Sequence, residues 1–166
     1  AETAPRAVEE VIARKSRAET AGGILVVGVD RLMTQLAKCC RPVPPDPIAG
    51  FVTRGRGVSI HRRDCPSLVE LLRRLPERAI DAAWGESGER VYAAEIVVRS
   101  HDRPGLLKDI SEVLSRERVN VTAVNTLSRG QLASMAFTIE VQDSLQLARL
   151  LGMVADVRGV YSATRR

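Results

Sequence analysis

The stretch Lys38 to Cys65, KCCRPVPPDPIAGFVTRGRGVSIHRRDC, most constrains how this chain can fold. It holds all three cysteines (Cys39, Cys40, Cys65) and one of the two histidines, His61. These four side chains sit at its two ends, so a fold that uses them together must close the span between. An odd count with an adjacent pair is a poor start for a disulfide framework. A reducing, cytoplasmic setting with thiols free or on metal is the simpler expectation. Thiolate and imidazole are the ligands of closed tetrahedral zinc sites, and His61-x-x-x-Cys65 has a zinc-like spacing. The adjacent pair is less usual, because two neighbouring side chains must turn toward one ion. Spacing alone leaves a second reading open, in which Cys39 or Cys40 is a small buried residue and His61 a strand-end donor.

Charge concentrates in the same stretch. From Lys38 to Arg63 six cations (Lys38, Arg41, Arg54, Arg56, Arg62, Arg63) face one anion, Asp46, whereas from Glu89 onward eleven cations meet nine anions. Arginine pairs bidentately with phosphate, so these six residues are the candidate RNA contacts. Phe51 alone supplies a nearby ring, which disfavours a base-stacking platform. The bland alternative is a solvated basic face. The longest apolar run, Gly22 to Val29, is far shorter than the roughly 20 residues that span a bilayer, and AETAPRAVEE lacks the features of a signal peptide. The expectation is a cytoplasmic protein with no membrane partner. Its start at Ala1 fits an excised fragment or a processed terminus.

In chain order, residues 1–21 balance four cations with four anions and read as a lead-in segment or helix. Residues 22–84 form the first predicted domain. Ile24 to Val29 is expected as a strand, and Asp30 as the N-cap of a short helix through Leu32, Met33, Leu36 and Ala37 that delivers Cys39 and Cys40. Pro42, Pro44, Pro45 and Pro47 then impose an extended loop. Ile48 to Thr53 and Val58 to His61 fit a hairpin turning at Arg54-Gly55-Arg56-Gly57. Pro66 opens a helix that Pro76 stops, with Asp64 a possible cap, and Ala79 to Trp84 adds a strand. Residues 85–90 read as a linker. Residues 91–166 alternate as β-α-β-β-α-β, the split βαβ arrangement, with Asp143 and Gln146 as a capping-box start. The fold class is therefore α+β.

No catalytic residues are assigned. A catalytic zinc needs an open ligand position and a nearby acid or base, and Asp64 is the only adjacent carboxylate. Gly55-x-Gly57 lacks the rest of any nucleotide fingerprint. In the second half, Ser100-His101-Asp102-Arg103-Pro104-Gly105 leads to a helix N-terminus whose free N–H groups suit a carboxylate, with Leu106 next in line. The alternative is a plain β-to-α turn.

LAKCCRPVP, GFVTRGRGVSIHRRDC and DAAWGE resemble the zinc-finger-like, or ribosome-intersubunit, domain near the C-terminus of RelA/SpoT-family (p)ppGpp synthetases. YAAEIVVRSHDRPGLLKDISEVLSRERVNVTAVNT and the remainder of the chain resemble the ACT domain that ends those proteins, and the wording leans to the RelA type. The resemblance covers about residues 22–166 and implies structural zinc at Cys39, Cys40, His61 and Cys65. It also implies a ferredoxin-like ACT fold and a stringent-response regulatory module. Such a module anchors the synthetase to ribosomal RNA when uncharged tRNA is bound and relays that state to catalytic domains. Those domains lie upstream in the family, so this chain is expected not to make (p)ppGpp itself, its parent being a GTP pyrophosphokinase. By the same resemblance, residues His101 to Leu106 are a possible amino-acid ligand loop, and the ACT sheet a possible homodimer surface. One departure stands out: Pro45 precedes Asp46 where the family usually has glycine.

Overall fold

The computed structural model describes residues 24–26, 33–85 and 90–166. The expected lead-in over 1–21, the end of the first strand and most of the linker lie outside the described residues. The chain divides into two compact units, with the division between Glu89 and Arg90.

The first unit is built on a four-stranded sheet. β1 (Ile24–Val26) lies outside it, while β2 (Thr34–Leu36), β3 (Ile48–Val52), β4 (Val58–Arg62) and β5 (Ala79–Ile80) form it in the order β2-β4-β3-β5. β4 pairs antiparallel with β3 and parallel with β2. Because side chains alternate across a strand, Val58 and Ile60 go to one face, and Ser59 and His61 to the other. On the Val58 face they join Ile24, Ile48 and Ala82 in one buried cluster. Ala82 belongs to β6 (Ala82–Trp84), which pairs antiparallel with β1 as a two-stranded layer. The opposite face buries Phe51 with Ala37, Cys40, Cys65 and Leu68. Leu68 comes from helix α1 (Pro66–Arg74), which Pro66 opens and Leu75 ends.

Two expectations are corrected here. Thr34 to Leu36 is a strand and not the end of a helix: the Met33 carbonyl accepts from Val58 N and Ala37 N donates to the Ile60 carbonyl, both at 2.8 Å. The exposed edge of β4 offers this segment a ladder, and Pro42 soon after leaves no length for a stable helix. Ala79 to Trp84 is also two strands in different sheets, separated at the exposed Asp81. The hairpin turn is as expected, with Gly55 and Gly57 at φ of 80° and 76°.

The second unit has the order β7 (Tyr92–His101), α2 (Leu106–Arg116), β8 (Asn120–Arg129), β9 (Leu132–Val141), α3 (Ser144–Ala155), β10 (Val160–Arg165). Its sheet runs β10-β7-β9-β8, the ferredoxin-like arrangement. Alternation along β7 buries Ala94, Ile96 and Val98, and β9 adds Phe137 and Ile139. Both helices lay their apolar stripes on that face through Leu106, Ile110, Leu114, Leu147, Leu150 and Val154. Asp143 caps α3 as expected, accepting from Gln146 N at 2.7 Å, while Gln146 Oε1 accepts from Gln142 N at 2.7 Å. β8 is an edge strand, and the side of it from Ala123 to Arg129 is exposed throughout.

Gly55 and Gly57 share a positive φ but not their surroundings. Nothing lies near a Cβ built on Gly55, whereas one on Gly57 would overlap the Met33 carbonyl oxygen. Gly55→Ala is therefore expected to cost about 1 kcal/mol, the left-handed penalty alone. Gly57→Ala should cost roughly 3 kcal/mol or more, since backbone must also move. Thermal unfolding of the two variants side by side measures the difference, and equal losses would contradict it.

Candidate metal centre

Three elements bring the cluster together. A turn over residues 38–40 closes with Arg41 N donating to the Ala37 carbonyl at 3.0 Å, and Arg41 takes φ 43° to redirect the chain. This bend turns both neighbouring thiols the same way, which answers the difficulty of an adjacent pair. Cys39 Sγ lies 3.3 Å and Cys40 Sγ 3.8 Å from His61 Nδ1. His61 arrives near the end of β4 on the α1 side of the sheet. Cys65 arrives as the N-cap residue of α1, the position expected of Asp64. Asp64 is exposed and 3.7 Å from Arg62 Nε. Cys65 Sγ is 3.6 Å from Cys39 Sγ, and all four ligand atoms lie within 4.8 Å of one another.

These separations fit a common ion. A tetrahedron with metal–sulfur bonds of about 2.3 Å and metal–nitrogen bonds of about 2.0 Å has edges of roughly 3.8 Å between sulfurs and 3.5 Å between sulfur and nitrogen. The separations of 3.6, 3.3 and 3.8 Å lie close to those edges. Cys40, His61 and Cys65 are buried and Cys39 is exposed, so one ligand stands at the mouth.

The surroundings prepare the donors. His61 Nε2 is 2.9 Å from Ser59 Oγ; with Nε2–H donating to that oxygen, Nδ1 turns its lone pair toward the thiols. Burial pulls the imidazole pKa below its ordinary value and keeps the ring neutral. Burial raises the Cys39 thiol, with the nearby Cys65 adding to the effect, and pushes Cys40 up to about 12. The Arg62 amide opposes this at Cys40, donating to its sulfur at 3.3 Å. At Cys65 burial also raises the pKa, but the amides of Leu68 and Ser67 and the Cys39 thiol outweigh it and hold the thiol low. Proton loss from the thiols would accompany metal binding.

Ser59 and the Arg62 amide escaped the sequence reading. Ser59 was accessible to it, since i and i+2 on a strand share a face; the amide was not.

The six candidate RNA contacts do not form one rim. Arg54 and Arg56 are exposed at the hairpin tip, and Lys38 and Arg63 are exposed near the cluster. Arg41 and Arg62 are half-buried, and Arg63 Nε donates to the Ile48 carbonyl at 2.9 Å. Five residues of extended chain separate Arg56 from His61, about 16 Å. The tip carrying Arg54 and Arg56 is set by its glycines and the β3–β4 ladder.

In the second unit, residues His101 to Leu106 form a β-to-α turn. Gly105 is the N-cap of α2 at φ 80°, and Leu106 is buried. His101 is exposed and edge-on to Tyr161, with ring centroids 6.1 Å apart. Asp102 N donates to the Gln131 carbonyl at 2.8 Å. Arg103 is committed within the protein, donating to the Arg158 and Pro104 carbonyls and, at 2.6 Å, to Asp109 Oδ2. Pro104 is exposed. The loop brings these residues together around Arg103.

Residues 24–85 match the RelA/SpoT RIS domain family and residues 88–165 the ACT domain family. A GTP pyrophosphokinase of Escherichia coli K12 is 44% identical over 153 residues, which cover 91% of this chain and 21% of that protein. One from Streptomyces coelicolor is 45% identical over 154 residues, covering 92% and 18%. The chain thus spans about a fifth of the length of these curated relatives. The crystal structure of the ACT domain from GTP pyrophosphokinase of Chlorobium tepidum superposes with a TM-score of 0.43 at 21% identity, over 46% of this chain and 100% of that one. The cysteine and histidine cluster lies within the match to the RelA/SpoT RIS domain family, and the βαββαβ unit within the match to the ACT domain family.

Proposed function

We propose that this chain is the C-terminal regulatory region of a stringent-response (p)ppGpp synthetase. Its RIS unit binds ribosomal RNA, and the chain relays uncharged-tRNA status to catalytic domains elsewhere in the parent protein. The observation that carries the reading is the convergence of Cys39, Cys40, His61 and Cys65 in a unit that otherwise has a small core. Three sulfurs and one imidazole in a closed set favour a structural ion over a catalytic one, and their softness favours zinc. Zinc joins the Cys39–Cys40 turn to the end of β4 and the start of α1, and so fixes Lys38 and Arg63. Arg54 and Arg56 on the hairpin tip reach a second group of phosphates. Pyrophosphate transfer from ATP to GTP belongs to the parent, consistent with relatives about five times the length of this chain.

A second role, pairing of two copies through the ACT sheet, is supported by β8. It is ten residues long, lies at the sheet edge and exposes Val124 and Leu127. Edges of this length invite another strand. Sedimentation equilibrium should show a concentration-dependent dimer that a Val124→Lys substitution weakens; a monomer at all concentrations would remove this role.

Three further outcomes are expected. Cys65→Ser should lose bound zinc and loosen residues 38–65, whereas Ser59→Ala should keep the fold and weaken zinc binding about 10- to 100-fold; competition with a chromogenic chelator measures both. The chain should co-sediment with ribosomes, more so with uncharged tRNA, and the Cys39→Ser/Cys65→Ser double variant should not. Arg56→Ala should retain binding but reduce the slope of log affinity against log salt by about one. A folded, zinc-loaded chain that fails to co-sediment would overturn the ribosomal reading.

A further inference from the structure

We propose that Cys39 and Cys65 are also a redox pair, closing to a disulfide under a peroxide-class oxidant and thereby expelling the metal. The metal-release half rests on the zinc reading above. The pairing itself rests on the geometry of the thiols.

Cys39 is the one exposed cysteine, and its sulfur already lies 3.6 Å from that of Cys65. A disulfide requires about 2.0 Å between sulfurs, so closure needs an approach of roughly 1.6 Å. The approach falls to Cys39, which is in the turn after β2, whereas Cys65, the N-cap of α1, is held by its carbonyl accepting from Val69 N and its own N–H donating to the Arg62 carbonyl, both at 3.0 Å. Cys40 is a weaker competitor. Its sulfur accepts from the Arg62 amide at 3.3 Å. A bond between Cys39 and Cys40 would also close a small ring around a single peptide unit, which planar trans geometry opposes.

The chemistry balances with hydrogen peroxide as oxidant. The Cys39 sulfur attacks one peroxide oxygen, the O–O bond breaks, and the departing oxygen leaves as water, giving a sulfenic acid. The Cys65 sulfur then attacks the Cys39 sulfur, the S–O bond breaks and a second water leaves. Two thiols and one peroxide become one disulfide and two waters, the sulfurs being oxidised and the peroxide reduced. When the sulfurs begin as metal-bound thiolates, two protons come from solvent. Cys40 and His61 remain as two ligands, too few for a closed tetrahedral site, and the ion dissociates. A dithiol reductant reverses the bond and restores the ligand set.

The test uses the full chain loaded with zinc and treated with hydrogen peroxide. Zinc release is followed with a chromogenic chelator, thiols are counted, and linked peptides are mapped by mass spectrometry. The expected result is loss of two of the three thiols, about one zinc released per disulfide, a single Cys39–Cys65 linked peptide, and recovery of thiols and zinc binding with dithiothreitol. Cys40→Ser should give the same linked peptide, and Cys39→Ser should give none within the chain. A Cys39–Cys40 or Cys40–Cys65 product, irreversible oxidation of Cys39, or a disulfide formed with zinc fully retained would overturn the proposal. Mapping after zinc is stripped separates the two readings. A chain that takes up no zinc but still forms Cys39–Cys65 loses the metal site and keeps the thiol pair, whereas a zinc-binding chain that forms no such bond loses the pair alone.

Discussion

The first unit depends on the central position of β4. Its backbone pairs with β2 on one side and β3 on the other, so its side-chain alternation is imposed on both faces at once. Val58 and Ile60 anchor one apolar layer, and the intervening residues aim Ser59 and His61 toward α1. A slip of one residue would exchange these faces, burying His61 in the aliphatic cluster and turning Ile60 to the thiols. The parallel ladder to β2 helps prevent that slip, and Gly57 is the residue whose missing side chain allows Met33 to approach. The geometry of the candidate site is thus set by sheet register before any metal is considered.

The cluster then couples segments that the sheet alone does not hold. The Cys39–Cys40 turn, the end of β4 and the first residue before α1 converge on a volume bordered by Phe51 and Leu68. This apolar layer is modest, and aromatic residues are only 3% of the chain. Small cores of this kind gain most from a covalent or coordinate link. The same compactness places two thiols in contact, so a site suited to an ion is also suited to a sulfur–sulfur bond.

The ACT unit is organised by different means. Long antiparallel strands and two amphipathic helices close a conventional aliphatic core, and its loop residues are occupied with the protein itself. Arg103 illustrates this. It reads in sequence as a basic residue in a possible ligand loop, but its guanidinium ties the loop to Arg158 and to Asp109 in the first turn of α2. The free backbone of this unit lies instead along β8.

The α+β class, the βαββαβ order and the hairpin with its two glycines were legible in the sequence, where Cys39, Cys40, His61 and Cys65 stood together as one of two readings. These follow from local signals: period-two and helical apolar patterns, proline and glycine stops, and the scarcity of cysteine and histidine. Long-range pairing alone settles that Thr34 to Leu36 is a strand, because its partner is the edge of β4, more than twenty residues away. Tertiary contacts also settle that Ala79 to Trp84 divides between two sheets, that Cys65 and not Asp64 precedes the helix as its cap, and that Arg54 and Arg56 stand apart from the cluster. Each of these depends on which distant backbone or side chain is near, and the energy of such a contact is not encoded in any short window of residues.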